Sequence, residues 1–169
     1  MLRGRSRGFF IMKKIALSQG KFAMVDDEDY EWLNQWKWCA IKDGRSFYAM
    51  RKELPSKKSV RLHRFILGVD NKLIFVDHED GNGLNNQRSN LRKCTRQQNA
   101  CNRKPSLNHS SQYLGVCWDN KRNLWLSQIK SFRKSIYLGH FAIEMDAASA
   151  YNEAAKKYHG SFARVNIIK

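Results

Sequence analysis

Acidic residues are scarce in this sequence and unevenly spread. Fifteen Asp and Glu stand against 31 Lys and Arg, a formal charge of +16, which is more than solubility requires and favours a polyanionic partner. Five of the fifteen acids, Asp26, Asp27, Glu28, Asp29 and Glu31, fall in one short segment, so the remainder is more basic than the total shows. Between Gly81 and Tyr137 the only acid is Asp119, against eleven cations: Arg88, Arg92, Lys93, Arg96, Arg103, Lys104, Lys121, Arg122, Lys130, Arg133 and Lys134. A run this one-sided reads as a track for a phosphate backbone rather than a merely solvated surface.

Long apolar runs are missing too. Nothing approaches the roughly 18 residues that a membrane span needs. The cationic stretch Leu2 to Gly8 is followed only by Phe9-Phe10-Ile11-Met12 before Lys13, too short for the apolar core of a secretory signal. Residues 1–12 therefore read as a tail, and the expected location is the cytoplasm, without a membrane partner. The four cysteines, Cys39, Cys94, Cys101 and Cys117, have neither C-x-x-C spacing nor the density of a secreted scaffold, so free thiols are expected and a Cys/His zinc site is not. What is present is 42% hydrophobic and 12% aromatic content, with five tryptophans, in 169 residues: enough for folded cores in one ordinary domain or two small ones.

In chain order, Lys13–Leu17 and Lys21–Val25 read as a hairpin turned at Ser18-Gln19-Gly20. Asp26-Asp27-Glu28-Asp29 reads as an N-cap and acidic first turn, followed by Tyr30, Leu33 and Trp36 at helical spacing. Trp36–Ile41 and Phe47–Met50 flank Asp43-Gly44, a strong hairpin signal. Leu54–Ser59 is a connection. Val60–Leu67 is ambiguous between helix and strand, and His63 within it reads as a hydrogen-bonded structural residue, with a catalytic or phosphate-facing role as the alternative.

The candidate site follows. Leu73–Val76 is a short strand that delivers Asp77 and His78 at its end, with Gly81 and Gly83 opening a loop. Asn90–Thr95 is the return strand, and Arg96–Cys101 a helix capped by Thr95. Cutting a phosphodiester needs an activated water and a charge to offset the departing oxygen. An imidazole suits the first task, and a hard cation held by oxygen ligands suits the second. Asp77 and the Asn99 amide are suitable ligands for Mg²⁺, and Asn90 is placed to bond His78 and fix its tautomer.

The run Val76-Asp77-His78-Glu79-Asp80-Gly81-Asn82-Gly83-Leu84-Asn85-Asn86-Gln87-Arg88-Ser89-Asn90-Leu91-Arg92 resembles the core motif of phage- and bacterial-type HNH homing endonucleases. The resemblance covers about residues 60–103 and implies a ββα-metal fold. It implies His78 as general base, Asn90 as the residue orienting it, and Asp77 and Asn99 as ligands of one divalent ion, Mg²⁺ with Mn²⁺ as a substitute.

Residues 104–111 read as a polar, basic, proline-broken linker. Beyond it, Tyr113–Trp118, Leu124–Lys130 and Ser135–Leu138 are three short strands. In the second, Trp125, Ser127 and Ile129 share one face and Leu126, Gln128 and Lys130 the other. Glu144–Tyr158 reads as a helix with a small-residue stripe of Ala147, Ala148, Ala150, Tyr151, Ala154, Ala155 and Tyr158, ended by Gly160. Tyr113-Leu114-Gly115-Val116, Trp125, Ile129, Tyr137–Phe141, these alanines and Gly160–Asn166 together resemble the plant ethylene-response-factor, or APETALA-type, DNA-binding domain over roughly residues 111–167. That resemblance implies a sheet lying in the major groove. Leu114, Cys117 and Ser135 stand where the plant proteins often have arginine, and Tyr137 replaces a contacting Trp, so a different target is implied.

The expected architecture is thus α+β: a tail at 1–12, a β-rich subdomain at 13–58, an HNH nuclease core at 59–103, a linker at 104–111 and a sheet-on-helix DNA-binding domain at 112–169. The expected activity is site-specific, metal-dependent cleavage of double-stranded DNA, by a monomer, at the DNA of a bacterial or phage-infected cell. The candidate DNA contacts are Arg88, Arg92, Arg96, Arg103, Lys104, Lys121, Arg122, Gln128, Lys130, Arg133 and Tyr137. The alternative is a non-cutting, transcription-factor-like DNA binder.

Overall fold

The computed structural model describes residues 12–103, 110–132 and 134–168. The tail before Met12, most of the linker, and the candidate contacts Lys104 and Arg133 lie outside the described residues. The fold is α+β, with several small antiparallel sheets and four helices among the described residues. The chain divides between Lys93 and Cys94 into two compact units.

The first unit opens with the expected hairpin, β1 (Met12–Ala16) against β2 (Phe22–Asp26). Its turn places Gln19 and Gly20 at φ 61° and 63°. Helix α1 (Asp27–Leu33) follows directly. It stops at Leu33, so Trp36 lies beyond it. Asp26 occupies the N-cap position without a side-chain capping bond; its carboxylate is used elsewhere, as described below. Strands β3 (Cys39–Asp43), β4 (Ser46–Glu53) and β5 (Lys58–Arg61) form an antiparallel sheet in that order. Asp43 pairs with Ser46 across the Gly44-Arg45 turn, and Gly44 takes the positive φ of 59° that such a turn demands. The ambiguous segment is both things: its start completes β5, and Leu62–Ile66 is helix α2.

These elements share one core of Ile15, Ala23, Val25, Leu33, Trp38, Ala49, Leu62, Ile66 and Leu91. Phe65 lies at its rim, its ring 5.3 Å from both Trp32 and Trp36 and 6.1 Å from Trp38. The Arg51 guanidinium sits 4.8 Å over Trp36, a cation–π contact that buries the stem of a charged residue. Because the core draws on residues both before and after position 58, the packing has no boundary there. Strands β6 (Phe75–His78) and β7 (Leu91–Cys94) pair as a separate two-stranded sheet.

The second unit begins with α3 (Arg96–Cys101), whose N-terminus carries a capping box: the Thr95 side chain accepts from the Gln98 N–H, and the Gln98 side chain accepts from the Thr95 N–H. The helix that the sequence groups with the nuclease core therefore clusters with the C-terminal residues. Strands β8 (Val116–Asp119), β9 (Leu124–Ser131) and β10 (Lys134–Phe141) form an antiparallel sheet in the order β10-β9-β8. Helix α4 (Glu144–His159) packs on it through buried Ala147, Ala148, Tyr151, Ala154 and Ala155, and the small side chains of the alanines let the helix approach closely. Tyr158, expected in that stripe, is 38% exposed. Trp125 and Ile129 meet the helix, which puts Leu126, Gln128 and Lys130 on the opposite face, as the period of two requires.

The C-terminal strap closes this unit. The Asn166 side chain accepts from the Leu114 N–H at 2.7 Å and donates to the Leu114 carbonyl at 3.1 Å. Asn152 of α4 binds the Asn166 backbone in the same paired fashion.

Candidate active site

Asp77 and His78 are each 5% exposed at the end of β6. The loop that follows folds back on itself through polar side chains. The Asp80 carboxylate accepts from the Asn82 N–H at 2.8 Å, from Asn85 Nδ2 at 2.8 Å and from Asn90 Nδ2 at 3.0 Å. Burial opposes ionisation of Asp80, but these bonds outweigh it and hold its pKa below the ordinary carboxylate value.

The Asn90 side chain bonds within the loop. Its Nδ2 donates to Asp80 Oδ1 and to the Asn85 carbonyl, and its Oδ1 accepts from the Asp80 N–H. Both amide hydrogens are therefore committed to the loop. Asn90 shapes the loop that carries the site, while the amide facing His78 belongs to Asn86, with Oδ1 3.3 Å from Nε2.

The loop is anchored to the N-terminal hairpin and α1. Met24 donates to the Leu84 carbonyl at 2.8 Å and accepts from the Asn86 N–H at 2.7 Å. Asp26 accepts from the Arg88 N–H at 2.8 Å and from Gln87 Nε2 at 3.2 Å. Arg88 forks onto buried Asp29 at 2.7 and 2.8 Å. Gly83 passes so close to β4 that a Cβ would lie 2.5 Å from the Phe47 carbonyl oxygen. Asp26 and Asp29, from the acidic cluster expected to cap a helix, thus hold this loop, and Arg88, expected on DNA, is paired with them. Arg92, also expected on DNA, has its guanidinium paired with Asp77 and 3.6 Å from Glu79, with its side chain 16% exposed.

His63 and Tyr48 complete the surroundings of the candidate base. The His63 ring lies 5.0 Å from that of His78 at 80°, and Tyr48 lies 5.8 Å from both. His63 is buried, and its Nδ1, expected to be hydrogen-bonded, has no partner among the described residues. Asn86 and Tyr48 were missed in the sequence reading; the signal available for Asn86 was a second amide inside an already polar loop. Burial lowers the pKa of His78, against the opposing pull of Asn86, Asp80 and Asp77, so the ring is neutral and able to accept a proton at neutral pH.

Burial, and then the neighbouring His78, Arg61 and Arg64, push the His63 pKa from 6.5 to about 3. The unfolded chain therefore binds a proton that the folded chain refuses between those values. Stability is full above pH 6.5 and falls on acidification towards about 3, at up to roughly 1.4 kcal/mol per pH unit from this group. His63→Gln is expected to show a shallower decline in urea-unfolding free energy over that window, and an unchanged slope would contradict this.

In the second unit, Asn99 lies half-buried on α3, and Arg96 and Arg103 are exposed at the two ends of that helix. Lys121 and Arg122 are exposed in the β8–β9 turn, with Arg122 Nη1 3.2 Å from Asp119. On the outer face of the sheet, Lys130 is exposed, Tyr137 is 61% exposed, and Gln128 accepts from the Ser135 hydroxyl at 2.9 Å. Among the described residues, no three His, Cys, Asp or Glu side chains converge as a metal cluster, and no helix is long and apolar enough to cross a membrane.

No family model matches the chain. Individual relatives do. A segment covering 35% of the chain is 41% identical over 59 residues to the AP2-like ethylene-responsive transcription factor TOE2 of Arabidopsis thaliana, of which it spans 12%. Protein 3.8 of Escherichia phage T7 is 29% identical over 90 residues, spanning 53% of this chain and 74% of the phage protein. The uncharacterized HNH endonuclease L560 of Acanthamoeba polyphaga mimivirus is 34% identical over 171 aligned residues, covering 95% of this chain and 86% of the viral protein. With a strand-borne Asp-His pair held by an asparagine-rich loop, and this similarity along nearly its whole length, the chain belongs to the HNH endonuclease family.

Proposed function

We propose that this nuclease is a site-specific, metal-dependent endonuclease of the homing type, acting on double-stranded DNA and leaving 5′-phosphate and 3′-hydroxyl ends. The observation that carries the reading is His78: buried, neutral, oriented through Nε2 by Asn86, and next in sequence to a buried carboxylate. The imidazole takes the proton of a water attacking phosphorus, and the loop keeps the ring from turning away. Nucleases of this family generally use divalent metal ions. Asp77 fits such an ion: a carboxylate this buried needs a cation beside it, a need that Arg92 meets in this structure and that a hard divalent ion meets equally. The sequence motif adds Asn99 as a second oxygen ligand. When bound, Mg²⁺, or Mn²⁺ in its place, supplies positive charge near the leaving 3′ oxygen. Plasmid DNA carrying a cognate site is expected to be nicked or cut with Mg²⁺ or Mn²⁺ and left intact in EDTA. Cutting in EDTA would overturn the metal dependence, and binding without any cutting would favour the transcription-factor-like alternative.

The plant relatives support reading β8–β10 as a DNA-docking sheet with its outer face in the major groove. Lys130, exposed on that face, is assigned to a phosphate. Lys130→Ala is expected to weaken binding on all duplexes alike and to reduce the slope of log K against log salt by about 1. An unchanged slope would remove Lys130 from the phosphate contacts.

A further inference from the structure

The outer face of the sheet carries a hydrogen-bonded chain of three side chains from its two edge strands. Tyr137 Oη lies 2.7 Å from His140 Nδ1, and His140 Nε2 lies 3.0 Å from Asp119 Oδ2. The inner members are largely covered, with side chains 18% exposed for Asp119 and 15% for His140, whereas Tyr137 at the outer end is 61% exposed. The bulge that skips Leu138 between Tyr137 and Gly139 brings His140 opposite Leu126 and leaves Tyr137 opposite Gln128. Both therefore stand on the face turned away from α4.

The chain has a direction. The bond from His140, with help from the Lys121 and Arg122 N–H groups and the Arg122 side chain, holds the Asp119 pKa down to about 2. An ionised carboxylate only accepts, so in the neutral ring Nε2 bears the hydrogen and Nδ1 bears the lone pair. The Tyr137 hydroxyl must then donate inward to Nδ1. What it turns outward is oxygen lone pairs alone.

We infer that Tyr137, polarised by His140 and Asp119, is a base-discriminating acceptor that selects a major-groove edge offering an exocyclic amine, adenine N6–H₂ or cytosine N4–H₂. Guanine at the contacted position presents only acceptors, N7 and O6, and thymine presents O4 and a methyl group. Neither can pair with an acceptor-only hydroxyl, and phosphate oxygens are excluded for the same reason. His140 and Asp119 act through Tyr137 as positioning residues. This inference rests on the reading of the sheet as the DNA-docking surface.

The test is selection from randomised duplexes with the full chain in EDTA at about pH 8, comparing wild type with Tyr137→Phe and His140→Phe. Wild type is expected to enrich a motif in which one position demands adenine or cytosine. Tyr137→Phe loses that demand and keeps the rest of the motif. His140→Phe frees the hydroxyl to donate, so the position also admits guanine or thymine; a merely structural role would not produce that change. Replacing the selected adenine by a purine without the 6-amino group, or the selected cytosine by a pyrimidine without the 4-amino group, is expected to cost wild type about tenfold in affinity and Tyr137→Phe nothing. If wild type and Tyr137→Phe enrich the same motif, or if removing the exocyclic amine from the base pair altered by Tyr137→Phe costs wild type no affinity, the inference fails while the docking surface stands. If wild type enriches no motif at all, the docking reading fails and the inference with it.

Discussion

His78→Ala is expected to reduce DNA cleavage by about 10²- to 10⁴-fold, the range a general base contributes, while duplex affinity stays within about twofold of wild type. The substitution removes the only group whose protonation the mechanism uses. It leaves intact the Asp80–Asn82–Asn85–Asn90 lattice that shapes the loop, because none of those bonds runs through the imidazole. It also opens space beside the His63 and Tyr48 rings, so a modest loss of stability accompanies it, and a melting curve separates that loss from the catalytic one. Single-turnover nicking under saturating protein is the measurement. Cleavage within tenfold of wild type would remove His78 from the reaction, and a parallel collapse of affinity would mean that the ring supports the fold rather than the chemistry.

The converse separation comes from Gly115→Ala. Gly115 precedes β8 with φ at 73°, and a Cβ there would overlap the Tyr151 ring and lie 2.5 Å from the Gln128 carbonyl oxygen. That carbonyl belongs to the central strand, and Gln128 N–H donates back to the Gly115 carbonyl at 2.8 Å, so neither side can yield without breaking the start of the sheet. Overpacking and a left-handed backbone for a residue with a side chain together cost on the order of 3 kcal/mol or more, a large fraction of what holds a unit of this size together. Hydrogen exchange is expected to show protection lost across β8, β9 and α4 and retained in β1 to β5. Sequence-specific affinity falls with the sheet. Protection equal to wild type in β9 would show that the close approach at Gly115 is not a constraint.

The features legible from the sequence are those whose causes lie within a few residues of one another. The Asp43-Gly44 turn, the Thr95–Gln98 capping box and the alanine stripe of α4 are all local: a backbone angle, a bond spanning three residues, a helical period. The Asp77-His78 pair was legible because a strand end and its loop share one short motif. The assignment of bonding partners inside that motif was not. Asn90 and Asn86 are both asparagines within reach of the loop, and only the path of the backbone decides that Asn90 faces Asp80 and Asn85 while Asn86 faces His78.

The sequence by itself determined that this is a basic α+β protein with an HNH motif, since charge, hydropathy period and motif spacing are properties of the chain as written. Tertiary structure alone decided how the arginines of the motif are paired. Arg88 meets Asp29 across 59 positions of sequence and Arg92 meets Asp77 across 15, and a guanidinium will take a buried carboxylate that must be neutralised before it takes a solvated phosphate. It likewise decided that Asp26 and Asp29 tie down the loop after β6, and that Asp119 reaches Tyr137 through His140. No spacing rule encodes such pairings, because they depend on where separate strands and helices come to rest.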